Sequence, residues 1–190
     1  MRKLLSILLT LFSLLAPLPF ASAESSVVRI TSTLHQNFTG EFRNDDLAQE
    51  LTPSGRLGQL VFTPLSTSKI WVIDPALIDE VIAMSGDYKL ATAATPAGKE
   101  IATAWLAQLK KNTAANDVVA LAYGNPDVAM AKRLAPSELK MYYSYGKMAL
   151  EIALGRVVRS EPTGGWGRGS SKLSPLLRKS FGDDRKKLTR

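Results

Sequence analysis

The chain has 190 residues, 45% of them hydrophobic and 22% charged, with 24 Lys and Arg against 17 Asp and Glu for a formal net charge of +7. That is the composition of one ordinary globular domain. With no Cys and His35 as the single histidine, disulfides, thiolate zinc sites, cysteine nucleophiles, cysteine-linked lipid anchors and multi-histidine metal centres are excluded, and neither a metal nor a cofactor is expected.

The first residues read as an export signal. Arg2 and Lys3 precede a charge-free, mostly apolar run over residues 4–15, followed by Pro17, Pro19 and the small residues Ala21-Ser22-Ala23. The run is shorter than the roughly 20 residues that a membrane-spanning helix needs, so cleavage near Ala23 and a secreted, extracytoplasmic product are expected. Residues 24–190, 167 in all, would then be soluble or peripherally attached. A domain of that size builds an adequate core by burial alone, so the lack of Cys fits a bacterial envelope. Asn37-Phe38-Thr39 matches a glycosylation acceptor, a pattern that needs a eukaryotic secretory route to be used and that chance explains better here.

Taken in chain order, residues 27–33 read as a strand, residues 45–50 as a short helix, and residues 55–65 fit either. Lys69-Ile70-Trp71-Val72-Ile73 is a short run suited to a buried strand, with Asp74-Pro75 directly behind it. An Asp cap followed by Pro at the first helical position opens a helix, and Leu77, Ile78, Val81 and Ile82 recur at helical spacing until Ser85-Gly86. Thr95-Pro96 is expected to open the next helix, which carries Ile101, Trp105 and Leu109 four apart and closes on Lys110-Lys111. Residues 117–122 form a second buried-strand pattern, and Tyr123-Gly124-Asn125-Pro126-Asp127 supplies a turn with Asn125 as cap and Pro126 as first helical residue. A short helix over 128–134 follows, then a long one from Pro136 to the stop at Gly155, and Val157-Val158 begins a further strand. This alternation predicts an α/β fold, either a partial (β/α)-barrel-like arc or a small open parallel sheet with flanking helices. A full eight-unit barrel needs about 250 residues.

Charge divides the chain. Residues 24–155 carry 12 basic and 14 acidic side chains, residues 156–190 carry 10 basic and three acidic. Residues 163–171 are too rich in Gly and Ser for a core element, and Ser174-Pro175 fits the cap of a short helix bearing Leu176, Leu177 and Phe181. The organisation expected is a signal over 1–23, an α/β domain over 24–158, and a basic Gly-rich linker and tail over 159–190. Such a tail suits an anionic wall polymer or lipid surface through residues 156–190, or it is a solvated terminus. Nucleic acid is not an expected partner outside the cell.

The order of motifs carries a resemblance. Phe42-Arg43-Asn44-Asp45-Asp46-Leu47-Ala48, Pro53-Ser54-Gly55-Arg56-Leu57, the strand ending Asp74-Pro75-Ala76-Leu77, Ala104-Trp105-Leu106, and Ala122-Tyr123-Gly124-Asn125-Pro126-Asp127 follow one another. Together they resemble a family of secreted actinobacterial envelope proteins whose domain has no assigned function and is often encoded near the lipid II flippase. The resemblance covers about residues 36–160. It implies an exported envelope protein with a barrel-like α/β domain, and it carries over no catalytic residue. Members of that family are typically longer, with β-sandwich-like regions and a C-terminal anchor, so the resemblance implies a reduced member or a fragment.

In parallel α/β folds ligands gather at the carboxyl ends of strands, where Asp74 and the turn at 123–127 are expected. Two readings follow. Asp74 and Asp127 would act as acid and base in glycan hydrolysis, with Trp71 or Tyr123 stacked on a sugar. Alternatively both carboxylates are helix caps, and Trp71, Asp74, Tyr123 and Asn125 are candidates for binding wall glycan or an envelope protein without catalysis, the reading taken as the leading one. His35 has no local acid or nucleophile pattern and is expected to be an ordinary surface or core histidine, and Tyr142, Tyr143 and Tyr145 are expected to be core and boundary residues of the long helix.

Overall fold

The computed structural model describes residues 26–64 and 68–160. The expected signal, the Gly-rich linker and the tail helix lie outside them. The order is β1 (Ser26–Ile30), α1 (Asp46–Leu51), α2 (Arg56–Phe62), β2 (Lys69–Ile73), α3 (Pro75–Ser85), α4 (Lys99–Thr113), β3 (Asp117–Ala120), α5 (Val128–Leu134), α6 (Pro136–Leu154) and β4 (Arg159–Ser160). The fold is α/β, as the alternation of patterns predicts.

The four strands are parallel and lie in the order β1-β2-β3-β4. A sequential order with right-handed crossovers sends every connecting helix to the same side, as in an arc of a (β/α) barrel, whereas a doubly wound sheet reverses its order at a switch point. Helices α1, α2, α3, α4 and α6 accordingly share one core with one face of the sheet, where Trp71 and Ile73 of β2 and Val118 and Ala120 of β3 pack with Leu47, Leu57, Leu77, Ile78, Trp105 and Leu150, while α5 packs on a small separate cluster of Ala122, Leu139 and Tyr143. The opposite face carries a smaller cluster, Ile70, Val72, Val119 and Leu121 with Val27 against it, to which, among the described residues, β1, β2, β3 and the residue after β3 contribute. Residues buried on both faces explain why β2 reads as a continuous apolar run instead of an alternating one.

Residues 55–65, open between helix and strand in sequence, hold the helix α2. Helix α4 begins at Lys99 behind Gly98, three residues beyond the Pro96 start expected. The reason is tertiary: the Ala97 N–H donates to Asp45 Oδ2 and the Gly98 N–H to the Tyr88 hydroxyl, holding this segment against α1 and the loop after α3. Strand β4 falls at 159–160, just past the expected domain end at 158, and pairs Ser160 with Ala120. No helix among the described residues is long and apolar enough to cross a membrane.

Candidate functional site

The carboxyl ends of β1, β2 and β3 form a polar face. Asp74 is the single residue between β2 and α3 and caps that helix, with Pro75 at its first position. Its Oδ1 accepts from the Ala76 N–H at 3.0 Å and from the Gly124 N–H at 3.1 Å. One oxygen therefore holds both the helix start and the turn after β3. The side chain is 1% exposed. Burial pushes its pKa up to about 6, against the pull of the Ala76 and Gly124 N–H groups, with Glu80 adding to the rise and Arg29 opposing it.

Arg29 pairs in register with Val72, and its guanidinium donates to Asn125 Oδ1 at 3.4 Å. Burial lowers the Arg29 pKa and the neighbouring Asp74 charge raises it. The turn itself is left-handed at two successive residues, Gly124 at φ 75° and Asn125 at φ 44°, a conformation that Gly and Asn tolerate best. This corrects the capping expected there. Asn125 accepts from Arg29 in a left-handed conformation, so Pro126 does not start a helix, and Asp127 caps α5 through Oδ1 to the Met130 N–H at 2.9 Å.

Helix α6 fixes the turn from outside. The Tyr123 N–H donates to the Tyr142 carbonyl at 3.1 Å, and a Cβ on Gly146 would fall 2.8 Å from the Leu121 carbonyl oxygen, so only glycine lets the helix approach this closely. The Tyr123 hydroxyl donates to Asp79 Oδ2 at 2.9 Å, and its ring meets Tyr145 edge-on at 4.7 Å. Burial raises the pKa of both partners of that hydrogen bond, with the bond itself raising Tyr123 further and opposing the rise at Asp79.

The structure thus brings Asp74, Tyr123 and Asn125 together and adds Arg29 and Asp79, which the sequence reading did not single out. A lone Arg in the otherwise β-branched run Val27-Val28-Arg29-Ile30 was the available signal. Trp71 is a correction. Its position in β2 turns it into the helix-side core with no exposed surface, so it has no face to offer a sugar. Asp127 stays solvent-exposed on its own helix start, and Asp74 and Asp127 each serve as a cap. Of the surface and core positions open to it, His35 takes the core: Glu80 Oε1 accepts from the His35 and Gln36 N–H groups at 2.7 and 2.8 Å, and Oε2 lies 3.2 Å from His35 Nδ1. That pairing ties the chain after β1 to α3. Among the described residues no three His, Asp or Glu side chains are grouped to hold a metal ion.

Comparison with protein-family models, with curated proteins and with solved structures finds no match for this chain.

Proposed function

We propose that the chain is an exported cell-envelope protein whose α/β domain binds wall glycan or an envelope partner at the strand-end face and does not hydrolyse it. The observation that carries this reading is the state of Asp74, a buried carboxylate already accepting from two backbone N–H groups. The other polar groups at that face are the Asn125 amide, the Arg29 guanidinium and the Tyr123 phenol, each in a hydrogen bond within the protein but partly exposed and of the kind that also hydrogen-bonds hydroxyl and amide groups. The charged, apolar and small-residue order of residues 2–23, and the motif order that resembles secreted envelope proteins, support export.

One observation favours hydrolysis as a second reading. A carboxyl with a pKa of about 6 at a strand end has the protonation behaviour of a general acid. Glycan cleavage also needs a second carboxylate across a shared cleft, and Asp127 is turned to its own helix.

Calorimetric titration with soluble wall-glycan fragments, with product analysis on the same samples, tests both readings. Binding without cleavage, weakened about tenfold in Asn125→Ala, is the expected result. Cleavage by the parent that disappears in folded Asp74→Asn and Asp127→Asn would replace the binding reading with the hydrolytic one.

A further inference from the structure

Helix α6 meets the strand-end face at Tyr145. The Tyr145 side chain is 48% exposed, and its ring lies 4.7 Å from that of Tyr123 with 64° between the planes. An edge-on pair spends one ring face on the contact where a parallel stack spends two. Aromatic surface is therefore left open at the turn that carries Asn125. The corner is also fixed. The Tyr123 hydroxyl donates to Asp79 Oδ2 and its N–H to the Tyr142 carbonyl. Gly146, the neighbour of Tyr145, seats α6 so closely that a Cβ there would stand 3.1 Å from Pro75 Cγ. Rings held this way lose little freedom when a ligand covers them.

The charges at this corner are balanced. Arg29 and Asp79, one of each sign, are the hydrogen-bond partners of Asn125 and Tyr123, and Asp74 is buried with Oδ1 on two backbone N–H groups. Helix α6 carries two Lys and two Glu, of which Lys147 pairs with Glu151 at 2.6 Å. Open aromatic surface beside phenol and amide groups, without excess charge, matches a neutral pyranose. Its ring C–H groups suit the electron-rich face of an aromatic ring, and its hydroxyl and acetamido rim suits the phenols and the amide. We propose that Tyr145 is a specificity-determining residue of the strand-end face, stacking on a neutral N-acetylated pyranose unit. It supplies the ring that buried Trp71 cannot. The proposal rests on the glycan-binding reading above and narrows it to neutral sugar units.

Calorimetric titration of the full chain with chitohexaose, the neutral hexamer of N-acetylglucosamine, tests it. The parent binds, Tyr145→Ala binds about tenfold more weakly, and Tyr145→Phe, which keeps the ring, stays within about twofold of the parent. Tyr145→Leu keeps apolar bulk without an aromatic face and falls with Tyr145→Ala, while circular dichroism reports the parent fold in all three variants. Parent-like binding by Tyr145→Ala or Tyr145→Leu, with Asn125→Ala still weakened, overturns this inference and leaves the binding reading in place. A loss in Tyr145→Phe equal to that in Tyr145→Ala would assign the effect to the hydroxyl and overturn stacking. A parent that binds wall-glycan fragments but not chitohexaose overturns the choice of a neutral unit. Binding of neither ends both readings and leaves a protein partner for this corner.

Discussion

Two connections from strand to helix in this sheet use the same capping chemistry in opposite surroundings. Between β2 and α3 there is one residue, Asp74, and the helix it caps buries seven of its 11 residues. Between β3 and α5 there are seven residues, 121–127, and the helix capped by Asp127 buries none. In both, a carboxylate accepts from the N–H two or three positions on. The direct connection presses its cap under the helix and the neighbouring turn, which dehydrates Asp74 and raises its pKa. The longer one leaves its cap in water. The hydrogen bond is local, but its energetic weight is set by how tightly the next helix closes over the sheet.

The largest effect that separates the two is expected from removing the buried acceptor. Asp74→Ala takes away the α3 cap and leaves the Gly124 N–H without its partner, so at pH 5 urea unfolding should report a loss of about 2–4 kcal/mol. A loss below about 1 kcal/mol would show that the two caps are energetically alike.

Asp74 should also give the protein an unusual pH dependence. Its folded pKa of about 6 lies above the ordinary aspartate value of 3.8, so the folded state binds the proton more tightly than the unfolded one. The stability this contributes is complete below about pH 4 and is lost as pH rises through 6, up to about 3 kcal/mol in all. Burial sets the rise, the Ala76 and Gly124 N–H groups oppose it, and of the neighbouring charges Glu80 adds to it and Arg29 opposes it. Asp74→Asn keeps an acceptor and removes the titration, so its stability should be flatter over this range. A parent with the same slope as Asp74→Asn would assign the dependence to other groups.

The difference between the two connections was only half legible in the sequence. Asp74-Pro75 directly behind Lys69-Ile70-Trp71-Val72-Ile73 specifies a strand, a cap and a helix with no residue to spare, and the structure has all three where the pattern puts them. At the second connection the same rule selected Asn125-Pro126, because a cap before proline is the commoner arrangement. What the chain uses is decided by a contact 96 positions away, Arg29 on Asn125, which no local pattern contains. Trp71 misled for a related reason: in a strand buried on both faces, alternation no longer tells which side chains reach the surface. The start of α4 was displaced in the same way by Asp45 and Tyr88.

Gly146 probes how the longer connection is held. A Cβ there would meet the Leu121 carbonyl oxygen at 2.8 Å and the Tyr123 nitrogen at 3.1 Å, so Gly146→Ala forces α6 away from the turn. A cost of about 1–3 kcal/mol in urea unfolding is expected, despite the higher helix propensity of Ala. A stabilised variant would mean that the turn yields freely and that the strand-end face is not fixed by α6.

The smallest effect sharpens the comparison most. Asp127→Ala removes a cap of the same type as Asp74, but from a solvent-exposed position on a seven-residue helix with no buried side chain. Water replaces the lost acceptor at the Met130 N–H, so the cost should stay near 0.5 kcal/mol, the low end for caps. The ratio of the Asp74→Ala and Asp127→Ala losses then reports burial together with the second N–H that Asp74 holds, since a carboxylate, one cap hydrogen bond and a helix start are common to both. Similar losses would require α5 to be held in place as firmly as α3, although none of its residues is fully buried and, among the described residues, only its Val128 and Ala131 pack on a core cluster.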